Sequence, residues 1–339
     1  MDKFEGKLLQ YTCLSKDHDC VAVSSGTAGL HIALEALGIG PGDEVIVPSF
    51  SFFSSASSIV MSGATPVFAD ISDDAFALTP KTIKNKITGR TKAVMLVHYG
   101  GRITEQVEEI VRLCKKHDLF LIEDACQALG TERNQRAAGS FGDIGVFSFT
   151  PQKHITTGEG GAVVCKTKEL ADKLRQLRNH GKDENGTHTI MGYNYRMGEV
   201  AAAIGIIQLD NLYTAISQKQ FTASNMTSLV RPMQGPLCKS GILQIPSALN
   251  NSMTLYTVIL EGEEPEKNRA EIRRLLWEEG IETKIYFRPI HLEPVFNSKV
   301  SLPVTEDLFK RILTLPCHLG VGMIDREYIR KIFRKVLEP

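Results

Sequence analysis

Between residue 21 and about residue 165 the chain switches repeatedly between short β-rich runs and helical patterns. Residues 21–23 lead into a helix from about 27 to 37. Residues 44–47 and 66–69 read as strands flanking a helix near 54–62. Residues 92–97 are a strand, 105–117 an amphipathic helix and 119–123 another strand, with further strands at 144–149 and 162–165. Strands separated by helices argue an α/β fold with a mainly parallel sheet covered on both faces. In such a sheet, ligands lie beyond the carboxyl ends of the strands.

Helices then dominate, from about 168 to 180 and from about 198 to 222. The stretch 233–251 is rich in Pro, Gly, Ser and Asn and reads as a linker or domain edge. Beyond it come a strand at 254–260, a helix at 266–279 and a closing helix at 324–336. The expectation is a large domain over 1–222 and a smaller C-terminal α/β domain over 223–339. A chain of 339 residues has the length for both.

Charge narrows the partners. Lys plus Arg and Asp plus Glu both number 39. This balance removes any global argument for nucleic acid or an anionic membrane, but leaves room for a local anion site. The seven cysteines are scattered and contain no C-x-x-C pair. They argue for reduced thiols, against a disulfide framework and against a zinc site. The N-terminus is charged and no stretch approaches a transmembrane span, so a soluble, cytoplasmic protein is expected.

The segment FSFTPQKHITTGEGG at 147–161 carries the strongest chemical signal. An apolar strand ends in a Pro turn, followed by Lys153 and a cluster of Thr and Gly. A lysine there is well placed to enter a cleft, where a lowered pKa makes its amine a nucleophile. Such lysines form Schiff bases with carbonyl substrates or with pyridoxal phosphate (PLP). The plain alternative is an exposed loop lysine.

Other segments gain meaning beside it. Ser24 to Gly29 follow the first strand and open a helix, so Gly26, Thr27 and Ala28 offer N–H groups to a phosphate, or Ser25 simply caps the helix. Asp124 ends a strand and needs a cationic partner, a protonated pyridine nitrogen or an arginine, unless it caps a helix. Gln127 lies one turn later, in reach of the same ligand or on the surface. Phe52 offers a ring to stack on a flat cofactor, while Phe50 and Phe53 read as core. Tyr193, Asn194, Tyr195 and Arg196 make an anion or sugar contact or an ordered loop. His291 and His318 lie near prolines as candidate substrate contacts or as surface or core histidines.

Together these segments resemble the DegT/DnrJ/EryC1/StrS family of PLP-dependent sugar aminotransferases. The blocks are SSGTAGLHIALEALGIGPGDEVIVPSFSF, ATPVFADI, IEDACQALG, GSFGDIGVFSFTPQKHITTGEGGAVV, LRNHG and GYNYRMGEVAAAIGIIQL, in that order, and the resemblance runs from about Phe4 to Ile332. It implies the aspartate-aminotransferase type I fold and a homodimer with active sites at the interface. It implies that Lys153 carries PLP covalently, that Asp124 keeps the pyridine nitrogen protonated, that Gln127 contacts the ring oxygen and that Phe52 stacks on the ring. Thr27, Ala28 and Ser148 would bind the phosphate, and Asn194 would reach the phosphate of the neighbouring subunit.

The activity implied is amino transfer from glutamate to a nucleotide-linked keto-deoxysugar, for amino-sugar or surface-polysaccharide biosynthesis. The segment GIETKIYFRPIHLEPVF at 280–296 looks most like enzymes that aminate C4 rather than C3, such as perosamine synthases. A cyclitol (inosose) aminotransferase shares the motifs, and a non-catalytic PLP-fold sensor or scaffold is the reading from another class. One relative, a sugar 3-dehydratase, has His at the lysine position; here Lys153 is present and His154 follows it. Three departures bear on substrate fit. Phe4 already corresponds to a helix that family members place about two dozen residues later, which implies either a misassigned start or a more open site. The loop from His98 to Thr104 lacks the usual acidic residue. Met253 stands where an aromatic is common, and the stretch after Phe221 looks shortened.

Overall fold

The computed structural model describes residues 1–11, 18–73, 75–230, 242–244, 252–260 and 264–337. In chain order the first part contains α1 (Asp2–Tyr11), β1 (Asp19–Val23), α2 (Gly26–Ala36), β2 (Glu44–Pro48), α3 (Ser54–Met61), β3 (Thr65–Ala69), α4 (Pro80–Lys84), β4 (Thr91–Val97), α5 (Val107–Lys116) and β5 (Phe120–Asp124). A two-stranded hairpin, β6 (Glu132–Arg133) with β7 (Arg136–Ala137), precedes β8 (Ile144–Ser148) and β9 (Gly161–Cys165). Helices α6 (Lys168–Arg178), α7 (Glu199–Asp210) and α8 (Leu212–Val230) follow. The remainder holds β10 (Ile242–Gln244), β11 (Tyr256–Leu260), α9 (Pro265–Glu278), α10 (Pro303–Arg311), β12 (Ile312–Leu315) and α11 (Met323–Leu337).

Seven strands make one sheet in the order β1-β9-β8-β5-β4-β2-β3. Every pairing from β8 through β5, β4 and β2 to β3 is parallel; β9 runs against both its neighbours. Strands β2, β8 and β9 are buried at every position. That is the burial expected where helices cover both faces, and it explains their unbroken apolar runs. One face packs residues of α1, α5 and α7, including Phe4, Ile110 and Leu209; the other packs α2, α3 and α6, including Leu30, Ile59 and Leu174. Because β4, β5 and β8 run in one direction, Val97, Asp124 and Ser148 end on one rim of the sheet.

The single helix expected over 198–222 is two helices, α7 and α8, bent by 61°. The break falls at Asn211, whose backbone N–H turns back to Gln208 and Leu209. Leu209 and Leu212 are both buried on either side of it, so the apolar spacing runs through the bend and hides it. Helix α8 continues across the expected 222/223 boundary. Most of 233–251 lies outside the described residues; within it, 242–244 form β10. No single described helix is long and apolar enough to cross a membrane.

The second sheet is antiparallel, β10-β11-β12, and packs with α8, α9 and α11 around Tyr256, Val258, Leu276 and Phe333. An aromatic cluster joins the two parts. Tyr99, just past β4, stacks on Phe76 with ring centroids 5.5 Å apart, and its hydroxyl donates to the Tyr286 carbonyl at 2.6 Å. This contact holds the C-terminal segment over the rim where the site lies.

Candidate active site

Lys153 sits in the turn after β8, where its backbone N–H bonds to the Thr150 carbonyl. Its side chain opens on a cavity of about 520 Å³. The same cavity is lined by Gly26, Thr27, Phe52, Asp124, Gln127 and Ser148. Residues from four separate segments therefore converge, all at or beyond the carboxyl ends of strands. Burial lowers the Lys153 pKa from the usual lysine value, while Cys126 and Asp124 act in the opposite sense. A larger fraction of free amine at neutral pH follows.

Asp124 closes β5 and is buried. One oxygen, Oδ2, accepts from Ser55 Oγ at 2.6 Å; the other, Oδ1, accepts from the Cys126 N–H at 3.2 Å. Among the described residues no arginine pairs with it. Ser55 accordingly fixes the carboxylate from across the sheet, and it is a residue that sequence reasoning missed. Its only signal was the hydroxyl-rich start of α3, which also reads as an ordinary helix surface.

Gln127 uses its Oε1 to accept the Gly100 N–H at 2.9 Å, and that bond fixes the amide orientation. Its Nε2 is left for the cavity. Ser25 does cap α2, its Oγ accepting the Ala28 N–H at 3.1 Å. The Ala28 amide is thus engaged, and the N–H groups of Gly26 and Thr27 are those with no helical acceptor. Gly26 leaves no room for a larger residue: a Cβ there would lie 2.9 Å from Cys126 Sγ and 3.0 Å from Ser148 Cβ. Phe52 is 55% exposed on the cavity wall, with its ring near that of Phe287 at 5.8 Å. Phe50 is core, as expected, but Phe53 is 41% exposed and leans on Phe296.

The other candidates fall elsewhere in this protomer. Asn194 is exposed, in an isolated bridge with Asn179. Tyr193 and Tyr195 stack on each other at 5.0 Å and pack against His31. Arg196 donates to Asn179 Oδ1 at 2.9 Å and lines a separate cleft with Lys168 and Arg175. His291 is drawn under a 3-10 turn, its Nδ1 2.6 Å from Ser49 Oγ and its Nε2 3.3 Å from Glu306. It is buried and absent from the cavity wall. His318 is exposed and lines a second cavity that also reaches Lys153.

Beneath the rim lies a buried histidine–glutamate pair. His98 Nε2 and Glu123 Oε2 are 2.6 Å apart, and Glu123 also accepts the N–H groups of Gly142 at 2.6 Å and Gly139 at 2.9 Å. Burial raises the Glu123 pKa, but His98 and the two amides outweigh it and the net direction is down. This network ties the loop before β8 to the end of β5, next to Asp124.

The donor set fits pyridoxal phosphate. An amine made available by burial suits its aldehyde. A carboxylate held by a hydroxyl and an amide, with no arginine paired to it among the described residues, suits the pyridine nitrogen. An uncapped helix N-terminus packed too closely for a Cβ at Gly26 suits its phosphate. The comparisons with known proteins point the same way. GDP-perosamine synthase of Escherichia coli O157:H7 is 36% identical over 323 residues, covering 93% of this chain and 84% of that protein. A UDP-N-acetyl-3-dehydro-alpha-D-glucosamine 3-aminotransferase of Acidithiobacillus ferrooxidans is 38% identical over 304 residues, covering 87% and 78%. The structure of NtdA from Bacillus subtilis with bound cofactor PMP matches with a TM-score of 0.90 at 27% identity, covering 99% of this chain and 76% of that one. The DegT/DnrJ/EryC1/StrS aminotransferase family matches residues 1–336, and with fold, site and sequence agreeing along that length, the chain belongs to this family.

Proposed function

We propose that this PLP-dependent sugar aminotransferase takes an amino group from glutamate and delivers it to a nucleotide-linked keto-deoxysugar, at C4 rather than C3. The observation that carries the reading is the convergence of Lys153, Asp124, Gln127 and the start of α2 on one cavity. The relatives' substrates support the nucleotide-linked sugar. The resemblance of residues 280–296 to perosamine synthases supports C4.

When bound, PLP supplies an electron sink that is deepest with its ring nitrogen protonated. The chain's own residues do the rest. Asp124, held by Ser55 and the Cys126 N–H, keeps a negative charge fixed at the cavity floor. Lys153 Nζ accepts and returns a proton, and its lowered pKa suits it to both tasks near neutral pH. The free N–H groups of Gly26 and Thr27, with the Ser148 hydroxyl, bind an anion and orient it.

A homodimer with shared sites belongs to the same reading. Val200, Ile204 and Ile207 leave 77%, 45% and 62% of their surface exposed along one side of α7. Such an apolar stripe supports burial against a partner, and Asn194 lies only a few residues before it. A cytoplasmic location is supported by the free thiols of Cys20, Cys114, Cys126, Cys165 and Cys317.

Two measurements test the reading. Borohydride reduction followed by peptide mass spectrometry is expected to find the phosphopyridoxyl group on Lys153. A label on another lysine rejects that assignment. Nucleotide-linked 3-keto and 4-keto sugars, offered with glutamate, are expected to give product from the 4-keto series. Turnover confined to 3-keto sugars or to inososes would reverse the substrate assignment.

A further inference from the structure

Lys219 is a buried lysine with no counter-ion among the described residues, and burial, with Lys153 acting in the same sense, lowers its pKa from the usual lysine value. It lies on α8 and is 4% exposed, yet among the described residues no hydrogen bond or ion pair reaches its ammonium. Its ionisable neighbours are Lys153, His154 and Cys317. None is an anion. Burial pushes the Cys317 thiol up to about 11, so it stays protonated at neutral pH. Thr254 Oγ1 gives its one proton to the Gln127 carbonyl and therefore accepts the His154 Nε2–H at 2.8 Å, and burial, with Lys219 and Lys153 beside it, lowers the His154 pKa well below its ordinary value, so the ring is neutral at pH 7.

Lys219 opens on a second cavity, of about 590 Å³, shared with Lys153, Thr254 and Tyr286. The first cavity meets it at those three residues and at Pro151, Gln152 and Leu255. A ligand in the second cavity thus reaches Lys153 from the side away from the α2 N-terminus. Another lysine there, Lys284, is matched by Glu282 at 2.5 Å. One buried positive charge remains uncompensated. An ammonium taken out of water is unfavourable unless it is paired, and no group among the described residues pairs this one.

We propose that Lys219 binds a carboxylate of the amino donor in this second cavity. A single buried charge matches one carboxylate. A diphosphate, carrying at least two charges, would leave one unmatched. The proposal rests on the glutamate-donor reading above and adds a residue and a place to it.

The test is calorimetric titration of the PLP-loaded enzyme with glutarate, a dicarboxylate without an amine, and separately with UDP and GDP. Wild type, Lys219→Met and Lys219→Arg are compared, each accepted as folded if its cofactor absorbance matches wild type. Lys219→Met is expected to bind glutarate at least about tenfold more weakly, the size of one lost charge-assisted hydrogen bond. Lys219→Arg is expected to recover most of that loss, with nucleoside diphosphate binding unchanged in all three. Equal glutarate affinity in wild type and Lys219→Met overturns the proposal and leaves the donor reading standing. Weakened UDP or GDP binding with glutarate unaffected overturns it in favour of the sugar nucleotide's phosphates. Wild type that binds neither glutarate nor glutamate removes the donor reading itself, and this assignment with it.

Discussion

Ser55 on α3 and Asp124 at the end of β5 are joined by a 2.6 Å hydrogen bond from Oγ to Oδ2, buried at both ends. It gives the carboxylate a fixed direction without neutralising it. Ser51 Oγ lies 2.7 Å from Ser55 Oγ, so the hydroxyl is itself held. The short chain Ser51–Ser55–Asp124 explains why a lone carboxylate is stable at the rim of an apolar sheet.

Ser55→Ala is therefore expected to lower kcat by about tenfold to a hundredfold, the range for losing a buried hydrogen bond to a charged group. Cofactor binding should change less. Asp124→Asn, which removes the charge itself, should lose far more activity while remaining folded. Steady-state kinetics with circular dichroism decide it. Unchanged kcat in Ser55→Ala would mean that Asp124 is positioned by other contacts.

The sequence announced some of this and concealed the rest for physical reasons. Buried parallel strands write themselves as apolar runs, and punctuation by Asp, Pro or Gly marks their ends. Lys153, Asp124 and the start of α2 were legible for that reason. His291 was not, because a histidine near a proline gives no sign of a partner such as Ser49, 242 residues away. Ser55 looked like any small residue on a helix. Lys219 looked like one of many helix lysines, since only tertiary packing reveals that its ammonium is buried. The bend at Asn211 was hidden because apolar spacing survives it.

Gly26→Ala is expected to weaken PLP binding by about tenfold or more, the cost of displacing one charge-assisted phosphate contact. The added methyl would meet Cys126 Sγ at 2.9 Å and Ser148 Cβ at 3.0 Å, so the start of α2 must shift. Cys126→Ala removes the closer obstacle, and the double variant should recover part of the loss. Equilibrium dialysis of cofactor from the four proteins checks it. Strict additivity of the two substitutions would rule out this contact as the cause.

Glu123→Gln tests the buried pair with His98. Removing the charge of a buried carboxylate that accepts from His98 and two amides costs about 1–3 kcal/mol. In the folded chain the Glu123 pKa lies below its ordinary value, about 4.3 when unfolded. Its contribution is therefore complete above that value and is lost as pH falls through the lower, folded one. The stability gap between wild type and Glu123→Gln should be wide at pH 7 and should begin to shrink only as pH falls below about 4. Urea unfolding across this pH range measures it. A gap that does not change with pH would show that packing, not charge, is what the substitution removes.

Asn194 decides whether two chains build each site. It is exposed in one protomer and does not line that protomer's own cavity. A cofactor phosphate needs several donors, and those that one chain offers at the start of α2 include the N–H groups of Gly26 and Thr27 and the Ser148 hydroxyl. The apolar side of α7 brings Asn194 toward a second copy if the two helices meet about a two-fold axis. Lys153→Ala and Asn194→Ala should each be nearly inactive alone. When they are mixed under subunit exchange, each heterodimer would carry both lesions in one site and neither in the other. Activity is then expected to return to about half of wild type per heterodimer, by the counting that two-fold symmetry imposes. Failure to recover despite proven exchange, or full activity in a monomer, would place the whole phosphate shell within one chain.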